Sequence, residues 1–225
     1  MSSDLQHLRR QLRERFPEAH QSKSPPAPIH PSARLPSFPS GALSELSPAG
    51  PASGLSLVLA QLLQKSEVGS QKSEVSPREP TSALSPLTSD NQPLALIDGR
   101  DSFDPASYDA ASCSRLLWVR CHHAEESLRC TDLLLRDGNL PLLVLDLQLN
   151  PLEELRRIPT SSWYRLRNLA KQSGAALLIF TPTPFIPCAA LQLTFDSRFS
   201  LADLERTREE LSVVHRQEQK TAATL

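Results

Sequence analysis

Between residues 94 and 181, short apolar runs alternate with segments whose apolar residues recur at helical spacing. Strands buried on both faces have continuous apolar sequences, and their alternation with helices is typical of a parallel sheet covered on both sides. The predicted strands are Leu94–Asp98, Arg115–Val119, Leu140–Leu147 and Ala175–Thr181, and the predicted helices are Ala124–Arg136 and Ser161–Gln172. We therefore predict an α/β fold.

The segment that precedes this alternation has the order strand, small-residue loop, helix. A short strand is predicted at Leu43–Leu46, a turn-rich stretch follows at residues 47–53, and an apolar helix is predicted over Leu55–Gln64. A phosphate-binding loop has this same order, because the backbone amides between the strand and the helix surround the phosphate groups.

The C-terminal part is predicted to hold one more strand and one more helix. The segment Cys188–Phe195 alternates apolar and polar residues, which predicts a half-exposed or edge strand. Ser200 is placed to cap a last helix that has Asp203 in its first turn and His215 and Arg216 near its end, an arrangement that suits the helix dipole.

Proline is abundant, with 20 residues against 7 glycines, and most prolines precede Pro93 among serines and alanines. Such a composition does not form a hydrophobic core. We predict a short amphipathic basic helix over residues 1–17, a disordered linker over 18–38, an α/β domain over 39–199 with a disordered insertion at 65–92, and a C-terminal helix and tail over 200–225.

The net charge of -1 provides no overall attraction for nucleic acid, so any contact with DNA must come from a local patch. No apolar run approaches the roughly 20 residues of a membrane span, and we expect a cytoplasmic protein that does not associate with membranes. The four cysteines lack the CxxC pairing of metal sites, so we expect buried, reduced thiols and no metal.

Two sets of residues are candidates for contact with DNA or a partner. One set is the basic side of the predicted first helix, formed by Arg9, Arg10 and Arg13, which equally suits a helix that docks on its own domain. The other set is Trp163 with Arg165 and Arg167, a combination able to stack a base and contact phosphate. For Trp163 we favour a core position, since aromatic residues on a helix usually anchor it.

Four stretches, in order, resemble the RecA recombinase core and, more closely, the RecA-derived ImuA-like proteins that accompany error-prone polymerases. They lie between Pro39 and Phe195 and consist of Ser40–Leu46, Leu96–Pro105, the segment from Ala124–Leu128 through Gly138 to Asp146, and Leu177–Phe180. The resemblance implies a RecA-like fold of the P-loop NTPase type.

The resemblance also implies a nucleotide site that has lost its chemistry. The phosphate loop is matched by Ala49, Gly54, Leu55 and Ser56, where Leu55 replaces the lysine that neutralises phosphate. Arg100 stands at the position of the family's catalytic glutamate, and Thr183 at that of its nucleotide-sensing glutamine. Asp146 keeps the acidic residue that coordinates magnesium in the family. We therefore expect no ATP or magnesium cofactor.

The resemblance with lost chemistry implies a non-catalytic accessory protein in DNA repair and SOS damage tolerance, which contacts RecA or a translesion polymerase and associates with DNA at most weakly and indirectly. Three other hypotheses remain open. The first is a divergent ATP-hydrolysing enzyme that uses Ser56, Asp146 and Arg100. The second is a SulA-like inhibitor of cell division, and the third is a single-stranded DNA binder. Fold alone does not decide among them.

Overall fold

The computed structural model of the protein describes residues 37–63, 92–200, 203, 206, 210–211 and 213–218. Strands and helices alternate along most of this part of the chain. The strands are β1 Leu43–Pro48, β2 Leu94–Asp98, β3 Leu116–Arg120, β4 Leu142–Asp146, β5 Ala176–Phe180, β6 Leu191–Phe195 and β7 His215–Glu218. The helices are α1 Leu55–Leu63, α2 Ala110–Cys113, α3 Ala124–Asp137, α4 Leu152–Arg156 and α5 Thr160–Ser173, with a 3-10 turn at Pro105–Ser107.

The seven strands form one sheet in the order β3-β2-β4-β5-β1-β6-β7. The first six strands of this order are parallel, and β7 is antiparallel to β6. The predicted α/β class with a mostly parallel sheet is thus confirmed, and this architecture is consistent with a RecA-like fold of the P-loop NTPase type. The strand β1 lies in the interior of the sheet, between β5 and β6.

The core has two layers because alternate residues of each strand face opposite sides of the sheet. Helix α1 covers one side with Leu55, Val58 and Leu63, all at most 2% exposed. Helices α3 and α5 cover the other side, where Leu135 and Trp163 are buried. Because the strands β1 to β6 all run in the same direction, their carboxyl ends lie along one edge of the sheet.

The prediction of an edge strand at Cys188–Phe195 is wrong. Its ordered part, β6, is flanked by β1 and β7, and all its residues are buried except half-buried Thr194. The alternating sequence arises because Leu191 and Leu193 pack against the α1 layer, whereas Gln192 faces the other way and is only 7% exposed. Alternation therefore reflects a buried polar side chain here, and not solvent.

The predicted C-terminal helix is also wrong where it extends over His215 and Arg216, because these residues belong to strand β7. The backbone amide of Asp196 donates to the carbonyl of Val214, and Arg216 pairs with the carboxylate of Asp196. Pairing with β6 outweighs the helical spacing of the apolar residues. The predictions for residues 1–17, for most of the linker and for residues 65–91 fall outside the described residues.

Candidate functional site

In open parallel sheets, ligands bind at the carboxyl ends of the strands. The structure places all the predicted nucleotide-site positions along this edge. Residues 49–56 follow β1, Thr183 follows β5, Asp146 ends β4 and Arg100 follows β2. Because β4 and β5 separate β1 from β2, and strands are spaced by about 4.8 Å, Arg100 starts roughly 14 Å from the turn after β1.

The position that the resemblance matches to a phosphate-binding lysine is part of the hydrophobic core. Leu55, the first residue of α1, is only 2% exposed and packs in the apolar layer under that helix. A lysine that binds phosphate must instead reach out of the turn towards the ligand. Ser56, the predicted magnesium-binding hydroxyl, is exposed. The turn therefore lacks a cation, and the substitution at residue 55 contributes to folding.

An aromatic ring covers the glycine of this turn. Gly54 has a φ of +89°, and a Cβ added there would lie 2.7 Å from Cε2 of Phe199. The left-handed backbone favours glycine, and the ring leaves no space for a side chain. Gly54 is thus explained by its backbone conformation and by its contact with Phe199, without any phosphate.

The segment that carries Phe199 is hydrogen-bonded to the same turn. The amide of Phe199 donates to the carbonyl of Ala52 at 3.1 Å, and the amide of Ala49 donates to the carbonyl of Phe195 at 2.8 Å. The amide of Ala49 is therefore already used within the chain. In a working phosphate loop, amides of this turn are available to phosphate oxygens.

The ends of β2 and β4 retain two neighbouring carboxylates. Asp98 and Asp146 are register partners, and Asp98 is 1% exposed. Asp98 accepts hydrogen bonds from the amides of Arg100 and Phe103, from the Ser102 hydroxyl and, at 3.4 Å, from the Trp118 indole. This aspartate is held as the acceptor that orders the turn after β2.

Asp146 has a poorer environment. Its Oδ1 accepts one hydrogen bond, from the amide of Gln148 at 2.9 Å. Burial raises the pKa of Asp146 to about 6; the Gln148 hydrogen bond lowers it, and the charge of Asp98 adds to the rise. The Asp146 carboxyl therefore exchanges its proton close to neutral pH. A pKa in this range is found in carboxyls that act as acids or bases, and also in carboxyls whose ionised form is destabilised by poor solvation.

Asn150 connects this edge to the helices. It is 3% exposed, and its Nδ2 donates to the carbonyl of Gly99 and to Glu154, whose other carboxylate oxygen accepts from the amide of Ala124 at the start of α3. Its Oδ1 is buried and has no hydrogen-bond partner among the described residues.

The residues that the structure describes contain no group of three or more histidine, cysteine, aspartate or glutamate side chains placed to hold a metal.

Arg100 points away from the turn after β1, and Thr183 is exposed to solvent. The guanidinium of Arg100 donates to the carbonyl of His122 at 3.1 Å, towards β3 and away from β1. Thr183 is exposed, whereas the buried hydroxyl near β1 belongs to Thr181. The alternative in which Arg100 replaces the missing lysine requires this arginine to leave its carbonyl and cross two strands.

A buried carboxylate inside β1 escaped the sequence predictions. Glu45 is 1% exposed and accepts hydrogen bonds from the Thr181 hydroxyl, the amides of Phe185 and Ile186, and the Gln192 side chain. These donors come from β6 and from the loop between β5 and β6. Glu45 thereby fixes the loop beside the turn, with no cation among its partners in the described chain.

Trp163 is part of the hydrophobic core. Its side chain is 2% exposed and packs edge-on against Phe185, with ring centroids 5.5 Å apart. This burial suits the favoured interpretation of Trp163 as a core anchor and leaves little of its ring accessible for a base to stack on. Arg165 is exposed and forms a two-pronged ion pair with Asp132. The candidates Arg9, Arg10 and Arg13 lie outside the described residues.

The cysteines and a separate groove complete the candidate features. Burial raises the pKa of the Cys121 thiol to about 12, so this thiol is a poor nucleophile. A groove of about 870 Å³ lies between α3 and the α4–α5 segment, with Leu128, Leu133 and Ile158 in its lining. No residue of the turn after β1 lines this groove.

Some of the missed residues had a signal in the sequence. Asp98 ends an apolar run just as Asp146 does, and Glu45 is the one acid in the short predicted strand Leu43–Leu46. No local pattern indicated that Phe199, far along the chain, packs on Gly54.

No protein-family model matches this chain, and no curated protein matches it either.

Proposed function

We propose that this chain is a RecA-like accessory protein without ATPase activity, which acts in the cytoplasm during DNA repair and damage tolerance by contacting RecA or a translesion polymerase. The observation that carries the proposal is the turn after β1, where Leu55 is part of the core and Phe199 covers Gly54. The assignment to DNA repair rests on the resemblance of the sequence to ImuA-like proteins.

Two independent obstacles to nucleotide binding support the loss of catalysis. The turn lacks a cation, because Leu55 stands where a lysine would offset the triphosphate charge. The space above Gly54 is filled by an aromatic ring of the same chain. A gain of nucleotide binding would therefore require a new cation and the removal of Phe199 together.

A titration of the purified full chain with a fluorescent ATP analogue and magnesium tests this part. We expect no saturable binding by the wild type, by Phe199→Ala or by Ser56→Lys, which adds a cation at an exposed position of the turn. Measurable binding should need both substitutions together. Magnesium-dependent ATP turnover by the wild type that Asp146→Asn abolishes would instead support the divergent enzyme.

Affinity purification of the tagged protein from DNA-damaged cells tests the interaction. We expect RecA or a translesion polymerase to be retained equally by the wild type and by Asp146→Asn. Retention of neither protein, combined with unchanged survival after damage in a deletion strain, would contradict the proposal. Filamentous cells on overexpression would favour the inhibitor of cell division.

A further inference from the structure

Two of the four cysteines meet at the junction between strand β3 and helix α3. Cys121 is the first residue after β3, and Cys130 lies in the first half of α3. Both are free thiols, and the Cys121 thiol donates a hydrogen bond to Sγ of Cys130 at 3.9 Å. The sulfurs of a disulfide are about 2.05 Å apart, so a short approach of the two side chains separates this contact from a bond.

The fold holds these two thiols together although nine positions separate them in the chain. The amide of Cys121 donates to the carbonyl of Asp98 at 2.9 Å, which ties this residue to the end of β2. Cys130 belongs to the regular helix α3, and its side chain packs against the apolar layer between that helix and the sheet. The two sulfurs therefore remain neighbours as long as this junction is folded.

The two cysteines differ in their access to solvent. Cys121 is 0% exposed, whereas Cys130 is half-buried. A dissolved oxidant therefore reaches Cys130 first, and the sulfur of Cys121 lies directly behind it. Burial raises the pKa of Cys121 to about 12, so its thiol reacts poorly with dissolved reagents. Its fixed position beside Cys130 compensates for this weakness, because two groups held in contact react without a diffusional encounter.

We propose that Cys121 and Cys130 form a reversible disulfide within the chain when the protein meets a peroxide. The sulfur of Cys130 attacks one oxygen of hydrogen peroxide; an S–O bond forms, the O–O bond breaks, and the displaced hydroxide leaves as water with the thiol proton. The sulfur of Cys121 then attacks the sulfur of Cys130; the S–S bond forms, the S–O bond breaks, and a second water carries away the Cys121 proton. Two thiols and one peroxide thus give one disulfide and two waters, and a dithiol reductant reverses the change. The proposal does not depend on the function proposed above.

Peptide mapping of the full chain after treatment with millimolar hydrogen peroxide under native conditions tests this proposal. Trypsin cleaves between the two cysteines, so Cys121 falls in the peptide 121–129 and Cys130 in the peptide 130–136. We expect mass spectrometry to find these two peptides joined, with a combined mass lower by two hydrogens. Free thiols should fall from four to two per chain, and dithiothreitol should restore all four.

Cys113→Ser is the matched control, because it removes another half-buried cysteine, whose thiol donates to the carbonyl of Pro105. It should form the same disulfide, whereas Cys130→Ser should form none. In Cys121→Ala the sulfenic acid of Cys130 should persist and react with dimedone. The proposal is wrong if peroxide leaves the wild type with four thiols, if the disulfide involves Cys113 or Cys188 or joins two chains, or if folded and urea-unfolded protein give the same mixture of pairings. Circular dichroism of each variant verifies the fold.

Discussion

Two carboxylates in the same sheet have opposite surroundings. Glu45 in β1 is fully buried and accepts hydrogen bonds from two backbone amides, a hydroxyl and an amide side chain. Asp146 at the end of β4 accepts one backbone hydrogen bond and lies beside a second acid, Asp98. The chain therefore uses the buried carboxylate as a structural tie, whereas the half-buried Asp146 has few hydrogen-bond partners to compensate its charge.

The difference separates two kinds of carboxylate in this domain. A group held by many donors stabilises the fold, and its removal leaves those donors without partners. A group with few partners lowers the stability of the fold at neutral pH. On this comparison Glu45 is structural, and Asp146 is the better place to look for a remaining chemical role.

The largest effect is expected from Glu45→Leu. This change leaves the amides of Phe185 and Ile186 and the Gln192 side chain without this acceptor. Each buried donor left unpaired costs about 1–3 kcal/mol, so the free energy of unfolding should fall by about 3–5 kcal/mol. Urea denaturation monitored by tryptophan fluorescence measures it. Glu153→Ala on the exposed side of α4 is the control and should change stability by about 0.5 kcal/mol or less. A loss under about 1 kcal/mol would remove the contrast between the two carboxylates.

A smaller loss is expected from Gly54→Ala. The new Cβ meets the Phe199 ring in a left-handed backbone conformation, so we expect a loss of about 2 kcal/mol in the free energy of unfolding. Gly50→Ala is the matched control, because no atom lies within 4 Å of its added Cβ and its φ is not in the left-handed region. Addition of Phe199→Ala should recover part of the loss; strictly additive effects would show that the ring and the glycine are not in contact.

Asp146→Asn should have the opposite sign. The folded-state pKa of about 6 lies above the unfolded value near 3.8, so the ionised carboxylate destabilises the fold above pH 6. The substitution should raise the free energy of unfolding at pH 7 by at most about 3 kcal/mol, and this gain should vanish as the pH falls towards 4. Parallel denaturation series at pH 4 to 8 measure it, with exposed Asp137→Asn as the control. A gain that does not change with pH would contradict the raised pKa.

The smallest effect concerns His215 on β7, whose side chain packs against Phe195. Burial lowers the pKa of His215, so folding favours the neutral ring, and its contribution to stability is lost as the pH falls below the ordinary value of 6.5. His215→Gln in the Asp146→Asn background should therefore reduce the loss of stability between pH 7 and 5. Exposed His123→Gln should leave the same loss unchanged, and an equal response of both variants would contradict the assignment.

Much of the sheet could be predicted from the sequence, because the central strands β2, β4 and β5 are buried on both faces and have almost continuous apolar runs. The strands β2, β4 and β5 were predicted within two residues at each end for this reason. The C-terminal strand β7 could not be found, because its sequence His215–Glu218 is entirely polar and only its pairing with β6 makes it a strand. Local propensity is weaker than pairing at such a position.

The candidate site was predicted unevenly for a similar reason. The positions of Leu55, Arg100 and Asp146 follow from their order along the chain, since the carboxyl ends of parallel strands must meet. The contact of Phe199 with Gly54 and the donors of Glu45 join residues far apart in sequence, and no local pattern contains them. Long-range contacts therefore determine which side chains occupy the site, whereas the order of the elements along the chain determines where the site lies.

The place of β1 in the sheet also governs when the domain can form during synthesis. The hydroxyl of Thr181 and the amide of Gln192 that bind Glu45 lie 136 and 147 residues after it in the chain. Until the ribosome has made both, the first strand leaves the ribosome with a charged residue in its middle and neither neighbour present. Such high contact order slows folding and prolongs the exposure of apolar strands. A nascent chain stopped before β5 should accordingly depend on chaperones and be readily degraded, because both sheet neighbours of β1 are synthesised after that point.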